Sequence, residues 1–323
     1  MSKMSKIAEE EVEKFDHLFD LPSGLRKMVI DRMKRLDRIR FSQCSKTCRV
    51  ESFASEYYLE SISLLEYPNG RRVIEVSHGF TEDPSKKHIG YRIVFEEKYG
   101  KKTIRCQKSR GGKVFWINDL DDSAKLTSFA LEKTRDLMNM HRCSVKRLIV
   151  RTWPDSHDVI DFGDDILTNL KELVVDGWYA RQLISKTTNS LRALIAHRGG
   201  DVGDVADCPQ IYNVSECLDM SRTGFTLSQL LRLNANDITV SAINLSVDDV
   251  FEFLQQWKRG MLRDSFQRCT WHFTHNDFTV EFLFAHLNAP ITSITKIVQY
   301  ETEKIALLWY TGGELKFECN LAS

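Results

Sequence analysis

Val145-Lys-Arg-Leu-Ile-Val, Leu170-Lys-Glu-Leu-Val-Val and Leu191-Arg-Ala-Leu-Ile-Ala are three versions of one phrase, apolar-x-x-apolar-x-apolar. They start 25 and then 21 residues apart. Looser copies stand at Ile211-Tyr-Asn-Val, Ala235-Asn-Asp-Ile-Thr-Val and Phe266-Gln-Arg-Cys-Thr-Trp. Apolar residues that alternate over so short a run mark a strand with one buried face. Each phrase therefore predicts one strand of a parallel sheet, and the residues between phrases must carry the chain back by a helix or loop.

Two such helices are legible at 226–233 and at Ser246–Trp257. Asp248, Asp249 and Glu252 near the start of the second suit the positive end of its dipole, and Lys258-Arg259 suits the other end. Gly260 is a natural stop. A recurrence of about 20–29 residues is the period of leucine-rich repeats. A single unit of that kind cannot bury its own apolar face, so stacked neighbours must do it. Residues 143–323 are accordingly read as a leucine-rich-repeat-like α/β array. Such an array offers an extended binding surface rather than a catalytic pocket.

Residues 56–142 have a different texture, strand-rich with a connecting helix. Ile62-Ser-Leu-Leu and Arg72-Val-Ile-Glu-Val flank Tyr67-Pro-Asn-Gly-Arg, and Asn-Gly is a strong hairpin signal. Tyr91-Arg-Ile-Val-Phe and Lys102-Thr-Ile-Arg-Cys flank Lys98-Tyr-Gly-Lys, a second hairpin. A polar loop with Pro84 lies between them, and Val114-Phe-Trp-Ile adds a strand. Residues 121–140 form a helix with Ser123 as its cap and Leu126, Phe129, Ala130, Thr134, Leu137 and Met138 inside. In the tail, Lys304-Ile-Ala-Leu-Leu-Trp-Tyr and Glu314-Leu-Lys-Phe-Glu-Cys flank Thr311-Gly-Gly, a hairpin placed to cap the array.

The N-terminal segment reads differently again. Residues 1–13 are polar, and residues 14–55 are a small helical block. Leu21-Pro22 opens a helix for which Ser23 is a suitable N-cap, with Leu25, Met28, Val29 and Met33 at helical spacing. A second helix places Leu36, Ile39 and Phe41 inside, arginines outside, and Cys44 and Cys48 four apart. About forty residues cannot enclose a core of their own, so this apolar surface must meet the rest of the chain or a partner.

The chain has 323 residues, a formal net charge of zero and 42% hydrophobic residues. That balance argues against a dedicated nucleic-acid or membrane-surface binder. The basic run from Arg26 to Arg49 is a solvated face or a complement to an acidic protein, with phosphate binding as the other option. The start MSKMSKIAEE lacks the apolar core of a signal peptide, and no run of residues is apolar enough to span a bilayer, which predicts an intracellular protein, cytoplasmic or nuclear. Eight cysteines without a C-x-x-C pair are read as small buried hydrophobes. No glycine-rich phosphate loop and no nucleophile elbow is present. His272 and His275 point to opposite faces if they share a strand, and Asp161-Phe-Gly-Asp-Asp lacks the rest of a kinase signature. These observations predict neither an enzyme nor a cofactor or metal site. A hydrolase site assembled from distant residues remains the catalytic alternative.

The N-terminal block resembles an F-box. Phe15, Leu18, Leu21-Pro22, Leu25, Val29, Met33, Leu36, Ile39 and Phe41 carry the resemblance, with Ser42-Gln-Cys-Ser-Lys and Arg49. Downstream, Phe225-Thr-Leu-Ser-Gln-Leu-Leu-Arg-Leu-Asn and Phe251-Glu-Phe-Leu-Gln-Gln-Trp-Lys-Arg-Gly look like the F-box-associated type 2 domain of the large nematode F-box families. The copy departs from many F-boxes at Thr47-Cys48, where an aromatic often stands. The resemblance implies an α+β protein that acts as the substrate-recognition subunit of a Skp–cullin–F-box ubiquitin ligase. Leu18, Leu21, Pro22, Leu25, Met28, Val29, Met33, Leu36, Ile39 and Phe41 would then bind a Skp-type adaptor, and through it a cullin. The array would hold a protein target. The alternative keeps the scaffold without the ligase, as a stand-alone interaction module whose N-terminal block packs back on the strands of 61–117.

Overall fold

The computed structural model describes residues 18–33, 41, 44–45, 47–48, 59–77, 90–108, 114–121, 126–140, 145–151, 170–187, 191–197, 203–221, 224–241, 244–273, 280–291, 294–300 and 302–320. The chain divides into two compact units, residues 1–58 with 137–143 and residues 59–136 with 144–323. The first contains helix α1 (Ser23–Arg32). The second is built on one sheet of 14 strands.

The strands are β1 (Leu59–Glu66), β2 (Arg72–Ser77), β3 (Gly90–Lys98), β4 (Lys101–Lys108), β5 (Val114–Asp119), β6 (Val145–Arg151) and β7 (Glu172–Asp176), then β8 (Ala193–His197), β9 (Cys217–Met220), β10 (Asp237–Ser241), β11 (Arg268–His272), β12 (Thr295–Val298), β13 (Ile305–Thr311) and β14 (Glu314–Asn320). The helices after α1 are α2 (Leu126–Met140), α3 (Gly177–Ser185), α4 (Leu227–Arg232), α5 (Val247–Lys258) and α6 (Val280–His286). Spatial order in the sheet is β12-β13-β14-β11-β10-β9-β8-β7-β6-β1-β2-β3-β4-β5. β6 to β11 are therefore neighbours in chain order, and each pairs in parallel with the next. β1 joins them in parallel beside β6, and β2–β5 continue antiparallel beyond it. At the other side β14 pairs antiparallel with β11 and leads to β13 and β12. The strand-rich segment and the repeat region thus share one sheet.

Register explains why the phrase recurs. Leu148, Leu173, Leu194, Leu218, Ile238 and Cys269 lie side by side across six strands. Ile62 extends the row on β1, and Phe317 and Leu308 extend it on β14 and β13. Every one of these side chains is buried. A second buried row, Val150, Val175, Ala196, Met220, Val240 and Trp271, runs two residues further along the strands, as a period of two requires. The helices cover this face. Phe253 of α5 meets Trp271, Phe266 and Phe317 edge-on at ring-centroid distances of 5.3, 5.8 and 6.4 Å. Trp257 reaches Phe317 at 5.2 Å.

Both helices read near 226 and 246 are present and capped. The Thr226 hydroxyl accepts from the Gln229 N–H while the Gln229 side chain accepts from the Thr226 N–H, and Ser246 and Asp249 form the same reciprocal pair. Arg263, half-buried in the α5–β11 connection, donates to the carbonyls of Asn234 and Ala235 in the α4–β10 connection. The three expected hairpins also form. Tyr99 and Gly100 both take positive φ, as do Gly312 and Gly313, which is the two-residue turn that matches strand twist. In the β1–β2 loop Gly70, not Asn69, takes the left-handed conformation (φ +73°), and Arg72 closes the hairpin on Glu66 at 2.6 Å.

Three expectations are corrected. Ile211-Tyr-Asn-Val is not a strand: Pro209–Asn213 is a 3-10 turn, and the strand follows at β9. Its phrase, Ser215-Glu-Cys-Leu-Asp-Met, begins on an exposed serine, with the buried apolar residue one place earlier at Val214. Ser23 is the first helical residue rather than the cap of α1, because Pro22 precedes it with extended backbone and no side-chain cap bond. Cys44 and Cys48 do not share a helix face: Ser45 interrupts the helix, and its hydroxyl accepts from the Cys48 N–H at 3.0 Å. The Pro84 loop, the cap Ser123, Asp161-Phe-Gly-Asp-Asp and His275 lie outside the described residues.

Truncating a buried row residue leaves a cavity between strand and helix. Leu194→Ala is expected to cost about 2–5 kcal/mol and Phe317→Ala about 3–5 kcal/mol. Tyr99→Ser, at a fully exposed turn, is expected to stay within about 0.5 kcal/mol of wild type. Urea unfolding followed by tryptophan fluorescence checks the contrast.

Candidate functional site

α1 is apolar on two sides. Toward its own unit it turns Ile30, which is fully buried with Leu18, Phe41 and Cys48. Phe19, Leu21 and Met33 pack against that cluster, and Phe19 stacks on Phe41 at 6.3 Å. Arg26 pins the approach to the helix: its guanidinium donates to the Phe19 carbonyl at 3.0 Å and lies 5.7 Å from the Phe19 ring centre. The Arg26 N–H donates to the Pro22 carbonyl at 2.9 Å, so Pro22 is the N-cap, one place before the first helical residue Ser23. Proline suits this position because its missing N–H would have had no partner in the first turn.

The other side of α1 carries Leu25, Met28 and Val29, exposed to 51, 51 and 41%. Spacings of three and four residues align them in one stripe. Three large apolar side chains are thus left in contiguous exposure on a small unit.

The ten candidate adaptor contacts therefore fall into distinct environments. Pro22, Leu25, Met28 and Val29 are exposed; Leu21 and Met33 are half-buried; Leu18 and Phe41 are buried. Leu36 and Ile39 lie outside the described residues. Ile30 and Cys48 complete the small core; the reading of the cysteines as small buried hydrophobes fits Cys48 and not the exposed Cys44, and sequence reading passed over Ile30. Ile30 follows two residues of the exposed stripe directly, so its position in the helical period, four after Arg26, was the only signal for it.

The sheet unit offers a second surface, the face opposite the helices. Its charges are paired across strands. Arg147 meets Glu172 at 3.3 Å, Arg268 meets Asp237 at 2.8 Å, His197 meets Asp219 at 3.0 Å and His272 meets Glu314 at 3.3 Å. At the strand entrances Arg192 grips Glu216 with two bonds of 2.7 and 2.9 Å, and this holds the Glu216 carboxyl below its ordinary range. Asp237 is pushed up by burial, against the pull of Arg268. The Arg147–Glu172 and Arg268–Asp237 pairs bring opposite charges together across neighbouring strands.

Three thiols in the sheet unit are poor nucleophiles. Burial pushes Cys217 up, Cys269 well up and Cys319 up to about 12. At neutral pH such groups stay protonated, and the thiolate is the reactive form. No group of three metal-ligating side chains occurs among the described residues, and no helix described is long and apolar enough to cross a membrane.

Residues 18–50 match the family model of the F-box domain. The matched segment contains α1 with both its stripes and the small core. Comparison with curated proteins and with solved structures gives no match.

Thiol alkylation of the native chain near neutral pH is expected to reach the exposed Cys44 while Cys269 and Cys319 stay unmodified until denaturant is added. Peptide mass spectrometry reads the order of modification.

Proposed function

We propose that this chain is the target-recognition subunit of a Skp–cullin–F-box ubiquitin ligase. The observation that carries the reading is the exposed stripe of Leu25, Met28 and Val29 on α1, inside the segment that matches the F-box domain. An F-box is an adaptor-binding module, and an adaptor helix laid on this stripe would remove it from water. Pro22 would join the contact. Leu18, Ile30 and Phe41 would hold α1 in place from behind, with Leu21 and Met33 at the boundary between the two roles. Leu36 and Ile39 belong to the same proposal as contacts of the second helix. An interface of ordinary size buries about 1,600 Å² in total and concentrates its energy in a few anchors.

The sheet unit would hold the protein to be ubiquitinated. Its one-strand-per-phrase order from β6 to β11 supports describing it as a leucine-rich-repeat-like array, and the T-L-x-x-L-L and F-L-x-x-W phrases of α4 and α5 support likening it to the F-box-associated type 2 domain of nematode proteins. In this arrangement the chain performs no chemistry of its own. It binds on one unit, binds on the other, and so brings a target to the transfer machinery, with no cofactor and no nucleic-acid or membrane partner. The compartment is that of the ligase, cytoplasm or nucleus.

The test is capture of a purified Skp-type adaptor by the full chain. Leu25→Ala and Met28→Ala are each expected to weaken capture by about 1–3 kcal/mol, or about 5- to 150-fold in Kd. Both should leave stability near wild type, since their side chains are exposed. Leu18→Ala is expected to lower stability first. If the adaptor is not bound at all, or is bound equally by the Leu25/Met28 double variant, the stand-alone scaffold takes the place of the ligase reading.

A further inference from the structure

β12 ends the sheet on its C-terminal side and pairs with β13 alone among the described strands. The direction of its backbone groups can be assigned. The Gln299 N–H donates to the Lys304 carbonyl at 2.9 Å, toward the β13 side. N–H groups alternate sides along a strand, so those of Ile297 and Thr295 also face β13, while those of Lys296 and Val298 face outward. The open edge stops at Tyr300, whose N–H donates to the Lys258 carbonyl at 2.9 Å. Among the described residues, what remains is a short ladder of outward N–H and C=O groups at Lys296 and Val298, closed at the Tyr300 end.

The side chains around this ladder are specific in kind. Ile294 and Val298 are exposed to 64 and 42%, next to exposed Tyr300. A groove of about 440 Å³ runs along the strand, lined on the helix side by Lys258 and Leu287 and on the strand side by Ile297 and Val298. Lys296 is exposed on the open face and Lys258 stands over the Tyr300 ring at 4.9 Å. Neither lysine forms an ion pair among the described residues, and Glu303 is the one acid on the groove.

We propose that β12 is a docking edge that takes up an extended, acidic and apolar segment of a partner protein as an added strand. Outward N–H and C=O groups at strand spacing are matched by another extended backbone. Ile294, Val298 and Leu287 set the preference for apolar side chains, and the two lysines, one reached from each face of the added strand, set the preference for acidic ones. Opposite charges across a strand pair are favourable and like charges are not. A second copy of β12 is disfavoured for the same reason, because it would bring the Lys296 side chains of both chains to one seam. Assigning the segment to the ubiquitination target rests on the function proposed above; the peptide-binding edge itself does not.

Val298→Pro is the discriminating variant. It deletes an N–H that faces away from β13, so the β12–β13 pairing survives while the added strand loses a bond and meets a proline ring. The probe is a fluorescein-labelled, end-blocked hexapeptide of alternating Glu and Val, with an alternating Lys and Val peptide beside it, titrated against the full chain by anisotropy. The wild type is expected to bind the Glu/Val probe saturably and to prefer it to the Lys/Val probe. Val298→Pro is expected to weaken binding at least tenfold, and Lys296→Glu to reverse the preference, each with a wild-type circular dichroism spectrum and melting point. Should Val298→Pro perturb the fold, the reversal by Lys296→Glu decides alone. Equal binding by the variants or no saturable binding by the wild type overturns the proposal. So does a wild-type dimer that Val298→Pro converts to monomer. Adaptor capture on the same preparations separates the two readings. Adaptor binding without probe binding removes the edge and spares the ligase; probe binding without adaptor binding does the reverse.

Discussion

The row from Ile62 through Leu148, Leu173, Leu194, Leu218, Ile238 and Cys269 to Phe317 is the constraint on which the sheet unit depends. Each side chain lies beside its neighbour on the next strand and is buried, so the row joins the strands into one core. Because the row continues without a break from a hairpin strand into the parallel run and out into the C-terminal hairpin, the segments that differ most in texture form one body. The aromatic cluster of Phe253, Trp257, Phe266, Trp271 and Phe317 thickens the row at its C-terminal end. There the helices that return the chain give way to a hairpin.

The N-terminal unit works under the opposite constraint. α1 has more apolar surface than its neighbours can cover, and the small core takes only the Ile30 side. The uncovered stripe is therefore a cost to the isolated unit, which the adaptor binding proposed above would relieve. Binding and folding are in this sense one problem: the residues that fix the helix from behind, Leu18, Phe41 and Ile30, decide how firmly Leu25, Met28 and Val29 are presented. The sheet unit meets water differently, through cross-strand pairs on the face opposite the described helices and through two ends whose outer strands, β5 and β12, are the only unpaired edges among those described.

Much of this was legible in the sequence, and the failures have physical causes. The three regular phrases gave β6, β7 and β8 because each supplies three apolar side chains in one frame. β9 was misplaced because Ser215 occupies the first apolar position of its phrase, while Ile211, which is buried in a 3-10 turn, imitates it. The hairpins were legible because Gly100, Gly312 and Gly313 sit where positive φ is required. The parallel pairing of β1 with β6 was not, since register between segments more than eighty residues apart leaves no local mark. For α1, spacing gave the exposed stripe but not the buried one, because an apolar helix with two stripes has no single periodic face. The open edge at β12 was equally hidden, as it depends on which way the Gln299 and Tyr300 N–H groups turn.

Hydrogen–deuterium exchange of the full chain, alone and with a Skp-type adaptor, tests the central claim most directly. Adaptor-dependent protection confined to peptides spanning residues 18–50, strongest over 21–33, is the result expected if the exposed side of α1 is the docking surface. Protection that falls instead on the strands of the sheet unit, or an α1 whose exchange does not change when the adaptor is present, would contradict it.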